Sequence, residues 1–148
     1  MELMAKELYI HAVAGGTSLI AAANSIWLED QEYWKEACTH PDLQEQCQSH
    51  FTILTAAIWI PLFSSTIVTH HALNKLLPPC DKKIRTIALP LLSGTISAFV
   101  NSLLFMAALK QKFDPSLPLL DWEANCLFIP TSVCTSLTIT CLHLLMPS

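Results

Sequence analysis

The apolar residues of this chain gather in four long stretches, and the segments around them hold every charged side chain. A helix needs about 20 consecutive apolar residues to cross the hydrocarbon core of a bilayer. The pattern therefore predicts an all-α membrane protein, a four-transmembrane-helix bundle that forms a single domain over residues 1–148. The uncharged stretches are 8–28, 50–72, 87–109 and 127–146.

The composition also favours a membrane protein. Hydrophobic residues make up 52% of the chain and charged residues only 14%, whereas soluble domains carry about 25% charged residues. The segments between the stretches are short, so the 148 residues leave no room for a separate catalytic domain. We expect the first stretch to remain in the mature chain, because it is longer than the apolar region of a signal peptide.

The basic residues set the expected orientation of the four spans. Loop 73–86 carries four Lys or Arg residues, against one in segment 29–49 and two in segment 110–126. Because Lys and Arg accumulate in cytosolic loops, loop 73–86 and both termini are predicted to be cytosolic. The outer loops 29–49 and 110–126 then face the exterior or a lumen, as in a multi-pass protein of the plasma membrane or an endomembrane.

Small residues recur at every fourth position in two of the stretches. Strips of this kind let membrane helices approach closely and pack. We predict that these strips contact other helices, either within the bundle or in a partner subunit. Their members are Ala12, Ala14, Gly16, Ser18 and Ala22 in the first stretch, and Gly94, Ala98 and Ser102 in the third.

Asn24 and Asn101 are the two amides inside the uncharged stretches. An unpaired amide is costly in hydrocarbon, so each is expected to face protein and to find a hydrogen-bond partner. One interpretation is a bond between helices, and the other is a path for a polar substrate or an ion. The first is favoured, because the stretches contain none of the charged residues that usually mark such a path.

The cysteines indicate one disulfide bond. Cys38 and Cys47 lie in the acidic segment 29–49, which has few residues able to form a core. We predict that they are linked in an oxidising compartment, closing a small loop. Cys80 lies near the membrane in the predicted cytosolic loop, where reversible palmitoylation is a candidate modification.

Four histidines are predicted at the cytosolic ends of their helices: His11, His70, His71 and His143. A haem or a metal ion needs imidazoles from facing helices at one depth, which this set would supply. Bonds from interfacial histidines to lipid headgroups or carbonyl groups are the simpler interpretation. The sequence contains no nucleotide-binding or hydrolase motif, and its basic cluster is too small for nucleic acid.

The first outer segment resembles the claudin and epithelial-membrane-protein superfamily of four-span proteins. The matching residues are Trp27, then Trp34, and then Cys38 and Cys47 with eight residues between them. The resemblance covers about 25 residues, and the family's G-L-W triplet is replaced here by a Glu-Tyr-Trp sequence that ends at Trp34. It implies a disulfide-bonded outer loop, and a role in adhesion or as an auxiliary subunit of channels and receptors.

These observations predict a non-enzymatic accessory or structural subunit of a larger membrane complex, such as a channel or receptor assembly. Its expected partners are the lipid bilayer and other membrane subunits, reached through the helix faces and the acidic outer loop. No cofactor and no nucleic acid is expected. The alternatives are a claudin-like adhesion or barrier protein, and a small membrane haem protein or enzyme that uses the cytosolic-side histidines.

Overall fold

The computed structural model describes residues 1–29, 38–42, 44–112 and 114–146, without the side chains of residues 27–29, 123 and 124. Each predicted span coincides with a helix, and the described residues contain no strand, so the all-α prediction is confirmed. The helices extend past the uncharged stretches into the polar segments. Their bounds are α1 Glu2–Glu29, α2 Gln44–Leu76, α3 Lys82–Lys112 and α4 Trp122–Leu145.

Local signals account for several helix ends. α2 carries Glu45 in its first turn and Lys75 in its last, the signs that complement a helix dipole. Pro78 and Pro79 follow one residue after the end of α2, and proline disfavours helix in the residue before it. Asp81 then precedes α3, where its carboxylate accepts a hydrogen bond from the amide of Lys83 at 3.4 Å.

Three helical segments are long and apolar enough to cross a membrane: Gln44–Leu76, Lys82–Lys112 and Asn125–Leu145. This supports an integral membrane protein. α1 has sufficient length, with 28 residues, but its glycines, hydroxyl residues, His11 and Asn24 dilute its apolar character. A fourth span through α1 and cytosolic termini therefore stay predictions.

The four helices run alternately up and down, which gives the bundle two ends. α4 packs on α3 and on α1, α2 packs on α3 and on α1, and α2 also meets α4 across the middle. Among the described residues α1 and α3 make no contact, so they occupy opposite corners. We call one end the histidine end, where α1 and α3 begin, and the other the disulfide end, where α2 and α4 begin.

The interior contains more hydroxyl groups than a soluble core does. Thr66 Oγ1 lies 2.9 Å from Ser97 Oγ and 3.1 Å from Ser132 Oγ, which joins α2, α3 and α4. Asn101 donates from Nδ2 to Ser65 Oγ at 2.6 Å, and to the carbonyl of Ser97 at 2.8 Å. The side chain of Asn101 thus joins α3 to α2 by a hydrogen bond. Buried polar groups need such partners, since none is available from lipid.

The close approach of α3 and α4 depends on Gly94. A Cβ atom built on Gly94 would lie 2.6 Å from the Cα of Val133. Ala98 and Ser102, which continue the same strip, are completely buried. The strip in the third stretch therefore packs inside the bundle, as predicted for helix contact.

Candidate functional site

Four of the five histidines of the uncharged stretches meet at the histidine end. His11 lies near the start of α1, His70 and His71 near the end of α2, and His143 near the end of α4. Because these helix ends lie side by side, residues that are 60 and more positions apart come into contact. The predicted convergence of imidazoles at one depth is present in the structure.

His11 and His71 form the centre of this group. Their Nε2 atoms are 3.1 Å apart, and the rings meet edge to face with centroids 5.4 Å apart. Glu7 joins them: its carboxylate and the two imidazoles each have a ligand atom within 4.8 Å of the others, and all three residues are half-buried. We call Glu7, His11 and His71 the histidine–glutamate triad.

His143 holds the carboxylate of the triad in place. Its Nε2 lies 2.9 Å from Glu7 Oε1, and its Nδ1 lies 2.9 Å from the carbonyl oxygen of Ile139. Both ring nitrogens of His143 thus lie within hydrogen-bond distance of an oxygen atom. Burial would by itself raise the pKa of the Glu7 carboxyl, but the hydrogen bond from His143 and the nearby imidazole charges hold that pKa below its usual value.

His70 lies deeper and is turned toward the interior. It is 3% exposed, and its Nδ1 lies 2.7 Å from Ser136 Oγ, which in turn lies 2.6 Å from Ser93 Oγ. Its ring packs edge to face on His71 with centroids 5.4 Å apart. His70 therefore links the triad to the hydroxyl-rich interior and does not itself point at the triad's ligand atoms.

A cavity of about 860 Å³ opens beside the triad, with Glu7, His71 and His143 in its wall. The basic residues Lys75, Lys82 and Arg85 also line it. Arg85 donates to the carbonyl and the side-chain oxygens of Asn74, which holds its guanidinium across from α3 to α2. The lining of this cavity therefore combines three basic residues with one carboxylate, that of Glu7.

The small residues of α1 divide into an inner and an outer strip. Ala14, Ser18 and Ala22 are buried; we call them the inner strip. Ala12, Gly16, Ile20 and Asn24 are all exposed; we call them the outer strip. No heavy atom lies within 4 Å of a Cβ built on Gly16. The predicted helix contacts of α1 thus lie within the bundle for the inner strip only.

Asn24 does not face the bundle as expected. Its side chain is exposed, and no hydrogen bond joins it to the described residues. The reason is its position around the helix axis. Residues four apart lie on nearly the same side of a helix, so Asn24 lies on the outward side of α1 together with Gly16. Sequence reasoning also missed Asn125, an amide just before the fourth stretch that is 7% exposed in α4.

The cysteines occupy both ends of the bundle. Cys38 and Cys47 form a disulfide with their Cα atoms 5.8 Å apart, which confirms the predicted pair. Cys80 is an exposed free thiol in the link between α2 and α3, so its modification stays a prediction. Trp34 lies outside the described residues, as does the side chain of Trp27, so the structure does not test the claudin-like motif.

Sequence reasoning missed Glu7 because it lies just outside the first uncharged stretch. A signal was nevertheless present. Glu7 and His11 are four residues apart, which places them on one face of a helix.

Comparison with protein-family models, curated proteins and solved structures found no match to this chain. Its function must therefore be argued from its own residues.

Proposed function

We propose that this chain is a four-span, non-enzymatic subunit of a larger membrane assembly, with cytosolic termini, and that it binds its partner through the outer strip of α1. The observation that carries this proposal is the exposure of Gly16 and Asn24 along one outward line of that helix. A helix surface that meets only lipid requires neither a missing side chain, as at Gly16, nor a hydrogen-bonding amide, as at Asn24.

The amide gives the first argument. Intramembrane polar side chains almost always face the interior of a protein assembly, because hydrocarbon offers no hydrogen-bond partner. Asn101 follows this rule inside the bundle through its bond to Ser65. Asn24 follows it only if a second protein covers the outer strip, since the bundle itself supplies no partner among the described residues.

The shape of the strip gives the second argument. Ala12 and Gly16 form a small-xxx-small pair, the pattern that lets two membrane helices bring their backbones together. The space above Gly16 is empty to 4 Å, so the backbone of a partner helix can approach it.

A groove beside α1 gives independent support. It has a volume of about 310 Å³ and is lined by Leu19 of α1 and by Thr55, Trp59 and Ile60 of α2. Leu19 and Ile60 expose apolar surface there. A partner side chain seated in this groove would cover that surface.

The test is the size of the complex extracted from its native membrane with a mild detergent. We expect the wild-type chain to migrate as an assembly, and the Gly16→Leu and Asn24→Leu variants to shift toward the mass of the single chain. Ala108→Leu, which also introduces a leucine at an exposed position, in α3, is the control and should migrate as the wild type does. A wild-type chain that remains single under these conditions would contradict the proposal.

The claudin-like alternative predicts a different contact. An adhesion or barrier protein would use its outer loop at the disulfide end and would be unaffected by substitutions within α1. Replacing Trp34 with Ala should then abolish the interaction while Gly16→Leu leaves it intact. The two variants together separate the alternatives.

A further inference from the structure

We propose that Glu7, His11 and His71 bind one divalent transition-metal ion, with Zn²⁺ as the closest match to the donor set. The site would lie at the histidine end and would leave one coordination position open to the adjacent cavity. This inference is independent of the proposed assembly, because the triad and the outer strip share no residue.

The spacing of the two imidazoles is the first observation. Zn²⁺ binds a histidine nitrogen at about 2.0–2.1 Å, so two such nitrogens in a tetrahedral shell lie about 3.3 Å apart. The Nε2 atoms of His11 and His71 are 3.1 Å apart. An ion between them therefore needs an adjustment of only a few tenths of an ångström.

The same spacing argues against a haem at this position. A haem iron with two axial imidazoles has them on opposite sides, which separates their nitrogens by about 4 Å. Two nitrogens 3.1 Å apart suit neighbouring positions around a small ion. Of the cofactors that the four histidines could bind, the geometry favours a single ion.

Glu7 supplies the third ligand atom. Its carboxylate lies within 4.8 Å of both imidazole nitrogens, and rotation of its flexible side chain would close the remaining distance. His143 bonds to Oε1 and leaves Oε2 to turn toward the imidazoles. A hydrogen bond from a fixed group to a ligating carboxylate is the usual support of a metal site, so His143 is a positioning residue.

The cavity beside the triad explains why the fourth position stays open. Three protein ligands and one exchangeable ligand are typical of zinc sites that bind a further molecule, whereas structural sites have four protein ligands. Glu7 and His71 line the cavity, as do Lys75, Lys82 and Arg85. These cations would favour an anionic group, such as a phosphate or a carboxylate, as the fourth ligand.

The competing interpretation is that His11 and His71 share only a proton. One imidazole would then donate to the other, and the chain would have no particular affinity for metal. The carboxylate distinguishes the two cases: a hydrogen-bonded histidine pair does not need Glu7, whereas an ion with two imidazole ligands gains charge neutralisation from it. Metal binding that depends on Glu7 as well as on both histidines would therefore exclude the shared proton.

The experiment is a titration of the full chain, purified in detergent and treated with a chelator. Co²⁺ is added first, because its visible absorption reports a tetrahedral shell, and Zn²⁺ is then added to displace it. We expect one ion per chain. Glu7→Gln, His11→Gln and His71→Gln should each weaken binding by at least about 100-fold, and His143→Gln by about 10- to 100-fold. His50→Gln is the control, since that imidazole bonds to the carbonyl of Gln46 at the disulfide end.

X-ray absorption on the zinc-loaded wild type keeps the test independent of how the variants fold. We expect about two imidazoles in a shell of nitrogen and oxygen ligands. Sulfur in the shell would assign the ion to a free cysteine and would overturn the proposal. So would a wild-type chain that binds less than one ion, or a titration that is unchanged in the His11→Gln, His71→Gln double variant.

Discussion

The inner and outer strips of α1 have the same spacing of four residues but opposite surroundings. Ala14 of the inner strip is fully buried in a cluster with Ile10 and Ile139. Ala12, two positions earlier, is exposed, and Gly16 beyond it has open space above its backbone. A strip of small residues therefore identifies a helix contact surface without telling whether the contact lies inside the chain or outside it.

The amides extend this comparison. Asn101 has two hydrogen bonds inside the bundle, whereas Asn24 lies at the end of the outer strip with its side chain exposed. A residue that a membrane helix tolerates only beside protein occurs on both kinds of surface. In the proposed assembly α1, at a corner of the bundle, would have one face for its own chain and another for a partner.

The largest expected effect is the same substitution made in each strip. Ala14→Leu would place a large side chain where no space exists, and we expect it to lower the free energy of unfolding by about 3 kcal/mol. Ala12→Leu should change it by less than about 0.5 kcal/mol, because the position is exposed. Unfolding in detergent micelles, followed by circular dichroism, measures both.

Equal destabilisation by the two variants would mean that the strips are not distinct surfaces. The size of the native complex tests the other half of the comparison. Ala12→Leu should lower the mass of the complex, although it leaves the fold unchanged. A variant that affects assembly without affecting stability identifies an external interface.

The glycines provide a second, graded comparison. A Cβ on Gly94 would lie 2.6 Å from backbone atoms of Val133, one on Gly15 would lie 3.1 Å from the ring of Phe63, and one on Gly16 would meet nothing within 4 Å. We expect Gly94→Ala to cost about 2 kcal/mol, since backbone cannot move aside. Gly15→Ala should cost less, because a ring can shift, and Gly16→Ala should be neutral or stabilising, since alanine favours helix.

Thermal unfolding of the three variants under one condition checks this order. Each carries the same single methyl group, so only its surroundings differ. A Gly16→Ala variant as unstable as Gly94→Ala would show that the outer strip is packed within the chain. Gly94→Ala with no effect would mean that α3 and α4 are farther apart than the structure places them.

The sequence predicted those features that depend on local pattern. Uncharged stretches gave the helices, and the short spacing of Cys38 and Cys47 gave the disulfide. The alternation of four helices brought the histidines to one end, as expected from their positions in the stretches. Each of these follows from spacing along the chain and from the up-and-down order of helices joined by short links.

Features that depend on helix rotation could not be predicted. The direction in which Gly16 and Asn24 face depends on how α1 is rotated about its axis as it packs on α2 and α4. Because periodic patterns occur on both sides of α1, the sequence does not fix that rotation. The hydroxyl contacts among Thr66, Ser97 and Ser132 have the same origin. They join three helices, so no spacing within one helix could indicate them.

The third prediction compares the two amides. Asn101→Leu removes the bonds to Ser65 and to the carbonyl of Ser97, and we expect a loss of about 1 kcal/mol, since hydrogen bonds between membrane helices average about 0.6 kcal/mol each. Asn24→Leu should leave the stability of the single chain unchanged or slightly higher, because leucine suits a lipid-facing position. Unfolding in micelles that contain only this chain separates the two.

The smallest expected effect concerns a hydroxyl of the inner strip. Ser18 Oγ accepts a hydrogen bond from the indole Nε1 of Trp59 at 2.6 Å, which joins α1 to α2. Ser18→Ala should cost about 0.6 kcal/mol, the average for such a bond in a membrane protein. Ser25→Ala is the matched control, because Ser25 lies on the same helix, is half-buried and has no hydrogen bond of its side chain to the described residues.

Trp59 would keep its stacking on Phe63, where the rings lie 5.1 Å apart, so its emission spectrum should shift while the helix content stays constant. Equal stability of the two variants would show that the inner strip is held by close packing alone, and that its hydroxyl adds nothing to the contact between α1 and α2.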